Sequence, residues 1–541
     1  MKPETTTRKI VIEQDKRFSQ SSLWRIQRDY FDREGINAWV NSVPFYITSN
    51  PFIAKTYARI VLAFLHDWIN LHPEARQAPF YIMEIGTGSG RFSYYFVKTL
   101  NEMLKASDIR DVRVIHVMSD FTRSNMRYWE THHAIAPLVE QGLIDFALYD
   151  LDAERPITLI KSGTHLDAAT LTNPLTVFGN YIFDTCLNDM FAIRDGKLFE
   201  LYVSLAAEES NMKGNWPAEM EKVDVSYQAH KVGDTLYNDP QIDPILTEYR
   251  SNLKETIFMF PTGAFKALRF LNKIANNRLL MLSTDKGYCA LPSQEGAGQP
   301  PIYFHGSFFS AMVNFHAIGR FLENGGGDSF LQTPRRGIKT AAFSAGFRLR
   351  DLPQTLLELN DRVEGFSPAD YFALHRRMSD SFGECTLDII ASHLELSGWD
   401  PHIFLKIAGR VTKLAPEADR DTVSFLCDNM EKIAANFYDM PKTQCVLFEI
   451  AVFFHTLKKY DQAVRYYEMA EPFITEKFGL HYNLALCLHY QKRNEAALTQ
   501  FRQAVALDET SKEAAEWVTF LEQNPEGTRA PSDAEPTEKN R

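Results

Sequence analysis

Residues 1–40 are polar and then helical in pattern, with Leu23, Ile26, Tyr30 and Phe31 setting the period, and are read as an N-terminal helical segment. Pro44, Asn50 and Pro51 mark a loop, after which Ile53–Leu71 carries apolar residues at helical spacing. From Phe80 to about Asp285 the pattern changes, and short β-branched and aromatic runs alternate with helical stretches. Phe80–Ile85, Val112–Met118, Ile144–Leu148, Leu175–Gly179 and Leu279–Leu282 are the predicted strands. Such alternation predicts a parallel sheet covered on both faces, an α/β domain over residues 41–330. Between the fourth and fifth strands, residues 205–275 form a polar segment too long for an ordinary connection, read as an inserted cap. Gly325–Gly327 and the run from Pro334 to Arg336 mark a break, and residues 331–440 are taken as a helical connector.

The last part of the chain repeats itself. Ala451, Ala463, Tyr467 and Ala470 recur 34 residues later as Ala485, Ala497, Phe501 and Ala504. Small residues where two helices cross, with an aromatic closing the pair, are what a helical hairpin needs. The period and pattern resemble the tetratricopeptide repeat, over residues 441–522. Two repeats alone would be marginal, so a helix at Ser511–Leu521 is expected to complete the stack. The composition of residues 523–541, with Pro525, Gly527, Pro531 and Pro536, predicts a disordered tail.

Composition narrows the class. A chain of 541 residues exceeds one hydrophobic core, and 45% hydrophobic with 23% charged residues is globular. The balance of 58 basic against 69 acidic residues, a net −11, argues against a nucleic-acid partner. Six scattered cysteines without a C-x-x-C pair read as reduced core thiols rather than a zinc site. Glu4, Arg8, Lys9 and Glu13 leave no apolar signal region, and the apolar stretch near Ile60–Leu65 is far short of a membrane span. A cytoplasmic location without membrane contact is the expectation.

Candidate chemistry sits where the first strand ends. Phe80–Met83 runs into Glu84-Ile85-Gly86-Thr87-Gly88-Ser89-Gly90, followed by a helix from Arg91. Glycines permit a sharp turn and let a ligand lie against bare backbone, and the helix start offers free N–H groups. A dinucleotide fold would need G-x-G-x-x-G, but here the third glycine comes one residue early. Glu84, two residues ahead, would repel a pyrophosphate and suits a ligand with a cationic amino-acid end, as S-adenosylmethionine has. The second strand ends at Ser119-Asp120-Phe121, where an acid can accept both ribose hydroxyls of an adenosine. The third ends at Tyr149-Asp150-Leu151-Asp152, and either acid can take the adenine amino group.

These motifs, in this order, resemble the MidA-type methyltransferases. Phe45-Tyr46-Ile47-Thr48-Ser49-Asn50-Pro51 is similar to the family's D-F-x-T-S-P segment, which brings Thr48 and Ser49 to the cofactor. Asn180-Tyr181-Ile182-Phe183-Asp184-Thr185-Cys186-Leu187 falls on N-E-F-x-D-A-L-P, with Phe191 at a matching aromatic. Asp285-Lys286-Gly287 resembles D-Y-G, and Val313–Ala317 resembles V-D/N-F-T-A. The resemblance covers about residues 40–330. It implies a Rossmann-like class I methyltransferase sheet with an inserted cap, followed here by an all-α tetratricopeptide-like domain. It also implies methyl transfer from S-adenosylmethionine, in the family to arginine of a respiratory-complex subunit. The family glutamate is Tyr181 here and its proline is Leu187.

Arginine methylation needs a carboxylate to orient a guanidinium and help it lose a proton, a role open to Asp184 with Asn180 nearby. Tyr181 would line the acceptor pocket or pack. His305 and His316 are alternative bases, more simply read as packed or surface residues. Two functions follow: methylation of a protein side chain with the repeats docking a protein substrate or partner, or a catalytically weak or inactive methyltransferase-fold scaffold that binds partners through its repeats.

Overall fold

A strand apolar at nearly every position must be covered on both faces, and Phe80–Ile85, with Glu84 its one charged residue, is buried at all 6 residues. The computed structural model, which describes residues 8–41, 45–213, 216–217, 219–233, 235–335 and 337–526, places it at the centre of a mixed sheet. The strands run in the order Asp328–Leu331, Ile338–Ala345, Leu279–Tyr288, Leu175–Phe178, Phe80–Ile85, Val114–Asp120 and Ile144–Leu148. The five from Leu279 to Leu148 are parallel to their neighbours, and the two at the other edge are antiparallel. Pro51–Leu71 and Arg91–Lys105 are among its helices. Asn50 caps the first, its Oδ1 accepting from Ile53 N at 3.1 Å, with Pro51 pre-set at the first helical position.

Three boundaries differ from the sequence expectation. Residues 9–17 are a strand, not part of a helical segment, and the helices are Ser22–Glu34 and the short Asn37–Asn41. The charged alternation of Lys9–Arg17 hides an edge strand that pairs with Lys197–Glu208. The polar insertion is an antiparallel sheet built from Lys9–Arg17, Asp189–Arg194, Lys197–Glu208, Asp224–Lys231 and Thr256–Phe260. It therefore begins before residue 205, and Thr262–Ile274 is a helix leading into the strand at Leu279. The mixed sheet also continues past residue 330. Ile338–Ala345, buried at all 8 positions, lies where a helical connector was expected. The glycine run at Gly325–Gly327 is a turn into that terminal hairpin rather than a domain break.

Gly346 follows the second strand of that hairpin, with φ +81° and a position where a Cβ would stand 1.5 Å from Asn277 O. Gly346→Ala is expected to lose about 2–4 kcal/mol in urea unfolding, because both the backbone and its neighbour must shift.

The chain divides into two compact units, Met1–Ala373 and Leu374–Arg541. The second is helical through its described residues, with Val446–Thr456, Tyr460–Ala470, Phe478–Tyr490, Asn494–Leu507 and Lys512–Gln523 in succession. All eight matched repeat positions are fully buried, Phe501 stacking on Trp517 at 5.1 Å. Most of the expected disordered tail, from residue 527 onward, lies outside the described residues, as do residues 1–7 and Pro44. No described helix is long and apolar enough to cross a membrane.

Candidate cofactor and acceptor site

The glycine loop is held by the strand beside it. Gly86, Gly88 and Gly90 take φ of +65°, +57° and +80°, a region that costs other residues about 1–2 kcal/mol. Thr87 N donates to Ser119 O at 2.9 Å, Ser119 N donates to Thr87 Oγ1 at 3.0 Å, and Ser119 Oγ donates to Glu84 O at 2.7 Å. Trp129 Nε1 donates to Gly88 O at 2.9 Å. Arg91–Lys105 then starts from Gly90.

Two cavities meet at Gly86. The larger, ≈ 290 Å³, takes in Thr48, Ser49, Glu84, Gly86, Thr87, Asn180, Tyr181 and Asp184 among its walls. The smaller, ≈ 60 Å³, takes in Phe121, Asp150 and Leu151. Phe31, Gly86 and Thr185 line both. The sequence motifs are thus brought together on either side of one glycine. Gly88, Ser89, Gly90 and Asp120 line neither cavity.

Asp120 is instead an organiser of the loop. Its Oδ2 accepts from Gly88 N and Asn125 Nδ2, both at 3.1 Å, and its Oδ1 from Thr122 N at 2.9 Å and Thr122 Oγ1 at 3.0 Å. Burial raises its pKa, opposed by these donors. Trp39 lies against Gly88, where a Cβ would stand 2.4 Å from the indole. Of the two acids after the third strand, neither is free. Arg28 donates to Asp150 at 2.8 and 3.0 Å and to Asp152 at 3.0 Å, its guanidinium 4.6 Å from the Phe121 ring centroid.

The wall formed by Asn180–Asp184 carries unsatisfied polar atoms. Asn180 Oδ1 accepts from Tyr57 OH at 2.6 Å and Thr284 N at 3.0 Å, which fixes the amide and leaves Nδ2 without a partner. Tyr181 OH and Asp184 Oδ1 are likewise buried and unpartnered. Tyr181 holds φ +49°, a strained conformation for a bulky side chain. Burial pushes the Asp184 carboxyl up to about 7, against the pull of Lys286. Behind it Asp285 is raised further, by burial and then by the charge of Asp184. Native proteins leave few buried polar atoms unpaired, so a cluster of them in one cavity is a place where water or a ligand supplies the missing partners.

His316 lies elsewhere, its Nδ1 2.9 Å from Tyr249 OH, whereas His305 does line the larger cavity, 3.0 Å from Ser310 Oγ. Sequence reasoning missed the aromatic and basic wall: Arg28, Phe31 and Trp39 from the N-terminal segment, and Tyr303 and Phe308 from the hairpin Ile302–Ala311. Four aromatics crowded into residues 24–39 were the available signal.

The chain matches no protein-family model and no curated protein. Among solved structures it is similar to two from Burkholderia thailandensis. One is an uncharacterised protein of the COG1565 superfamily; the other is a member of that superfamily with S-adenosyl-homocysteine bound. Each is 14% identical, with a TM-score of 0.39, over 61% of this chain and 87% of that one.

Proposed function

We propose that Met1–Ala373 is a Rossmann-like class I methyltransferase that binds S-adenosylmethionine across Gly86, and that the protein transfers its methyl group to a protein side chain. The observation that carries this reading is the pair of cavities joined at Gly86. The larger offers the Glu84 carboxylate to a cationic amino-acid end, and the smaller offers Phe121 and Leu151 to a flat base. When bound, S-adenosylmethionine supplies an electrophilic methyl on a sulfonium. Methyl transfer is a displacement in which alignment does most of the work. Asn180 Nδ2, Tyr181 OH and Asp184, unpartnered in the wall of the larger cavity, would orient the nucleophile. Asp184, held near neutrality, takes the proton that an amine or guanidinium must lose as the new N–C bond forms. Arginine is the acceptor suggested by the MidA-type resemblance. The tetratricopeptide-like helices would dock the substrate protein, in the cytoplasm.

One observation favours the scaffold reading. Asp120, Asp150 and Asp152 already hold protein donors, and Trp39 covers Gly88. A cofactor would have to displace some of these contacts, whereas a scaffold would keep them.

Calorimetry tests the cofactor reading first. Micromolar binding of S-adenosylmethionine is expected, weakened more than about tenfold by Asp120→Ala, which frees Gly88 N and loosens the loop. No heat with the wild type would sink the cofactor reading. Incubation with labelled methyl donor and lysate then tests transfer: labelled protein bands support the enzyme, and binding without label leaves the scaffold.

A further inference from the structure

Open α/β sheets bind cofactors beyond the carboxyl ends of their strands. At the opposite end, around the start of Val114–Asp120, lies a second cavity of ≈ 600 Å³ that shares no residue with the two described above. Its volume is within the range of pockets that enclose a small molecule. Phe96, Leu100, Leu104, Ile115, Val139 and Ile144 give it apolar walls. Lys105, Arg110, Arg113 and Lys161 also line it, and all four are exposed. Lys161 is paired with Glu130 at 3.0 Å. No ion pair within 4.0 Å engages Lys105, Arg110 or Arg113 among the described residues; Arg110 acts only at longer range on Asp111, and the one lining carboxylate, Asp145, is held by Lys161 N and Ser162 N.

The interior is not wholly apolar. His116, 1% exposed, lines the cavity, and its Nδ1 has no partner. On its other side Nε2 is 2.8 Å from Ser93 Oγ, which donates to Glu84. Ser93 therefore accepts from Nε2–H, and in the neutral ring Nδ1 is then a buried acceptor. Asn101 and Gln141 add side-chain amides to the walls.

We propose that this cavity is a second ligand site and takes a purine nucleoside phosphate, base inward and phosphates toward the cations. A planar base suits the apolar walls, and its exocyclic amino group would satisfy His116 Nδ1. Several cations match a multiply charged phosphate better than a single carboxylate. A fatty acid would leave Nδ1 unpaired, and a free phosphate would leave the apolar walls empty.

The test is fluorescence titration of the full chain with N-methylanthraniloyl-ADP and N-methylanthraniloyl-GDP. Saturable binding at about 10–100 μM is expected. Unlabelled ADP or GDP should displace it, and S-adenosyl-homocysteine should not. Arg113→Glu and Leu100→Trp should each weaken it at least tenfold. Arg113 is exposed, so its variant stands even where the buried Leu100 position does not tolerate tryptophan. The proposal is overturned if neither nucleotide saturates below about 1 mM, or if Arg113→Glu binds like the wild type. Displacement by pyrophosphate as tight as by ADP would also overturn it, leaving only an anion patch. Displacement by S-adenosyl-homocysteine would place the probe in the first site and refute a second one.

Discussion

Asp184→Asn is expected to stabilise the folded protein at pH 8, by on the order of 3 kcal/mol, while removing methyl transfer. The carboxyl is 7% exposed, and burial pushes it up to about 7, with Lys286 pulling the other way. Its folded value thus lies above the 3.8 of a free carboxyl, so the native state holds the proton more tightly than the unfolded chain. The favourable contribution is complete below about pH 4, declines as pH rises through 7, and is gone above that. The amide that replaces the carboxyl cannot ionise and keeps its shape, so the variant's advantage should grow from pH 4 to pH 7 and then level off. Relief of Asp285, which Asp184 also raises, acts in the same direction. Urea unfolding at pH 5, 6, 7 and 8 measures this. A variant less stable than wild type at pH 8 would show that Asp184 is a structural acceptor. Gaining stability while losing rate is what a side chain kept for chemistry at the expense of packing should do.

The contrast between residues explains what the sequence could reveal. Phe80–Ile85 and Ile144–Leu148 were readable to the residue because each is a short β-branched and aromatic run, broken only by Glu84 or Asp145, that stands out from the polar stretches around it. The repeat positions were readable because helices can cross closely only at small residues, and those residues are fully buried. Lys9–Arg17 was not, because an edge strand with solvent on one side carries charges at the very positions that would announce it. The antiparallel insertion failed for a related reason: Asp224–Lys231 has no fully buried position, so no apolar run marks it. At the site, the motif residues named their own loops but not their neighbours. Nothing local in Arg28 says that it will be held by Asp150, 122 residues away. Asp120 shows the same limit from the other side. An acid at a strand end can face a ribose or knit its own loop, and only the position of Asn125 and Thr122 distinguishes them.

Gly86→Val should abolish binding of S-adenosyl-homocysteine, by at least about 100-fold, and with it any activity. The glycine holds φ +65° and a Cβ there would stand 2.7 Å from Ile182 Cδ1, at the point where the two cavities join. A valine would add branched volume to that junction and separate the space for the amino-acid end from the space for the base. Backbone strain alone could loosen the loop, so the control must carry the strain without the obstruction. Gly196 provides it, with φ +66° and no atom within 4 Å of the point a Cβ would occupy. Gly196→Val should lose about the same 1–2 kcal/mol of left-handed strain and bind the ligand like the wild type. Undiminished binding by both variants would mean that no ligand spans Gly86. If both lose affinity alike, stability rather than the junction governs binding. A loss confined to Gly86→Val requires the ligand to cross the glycine that joins the two cavities.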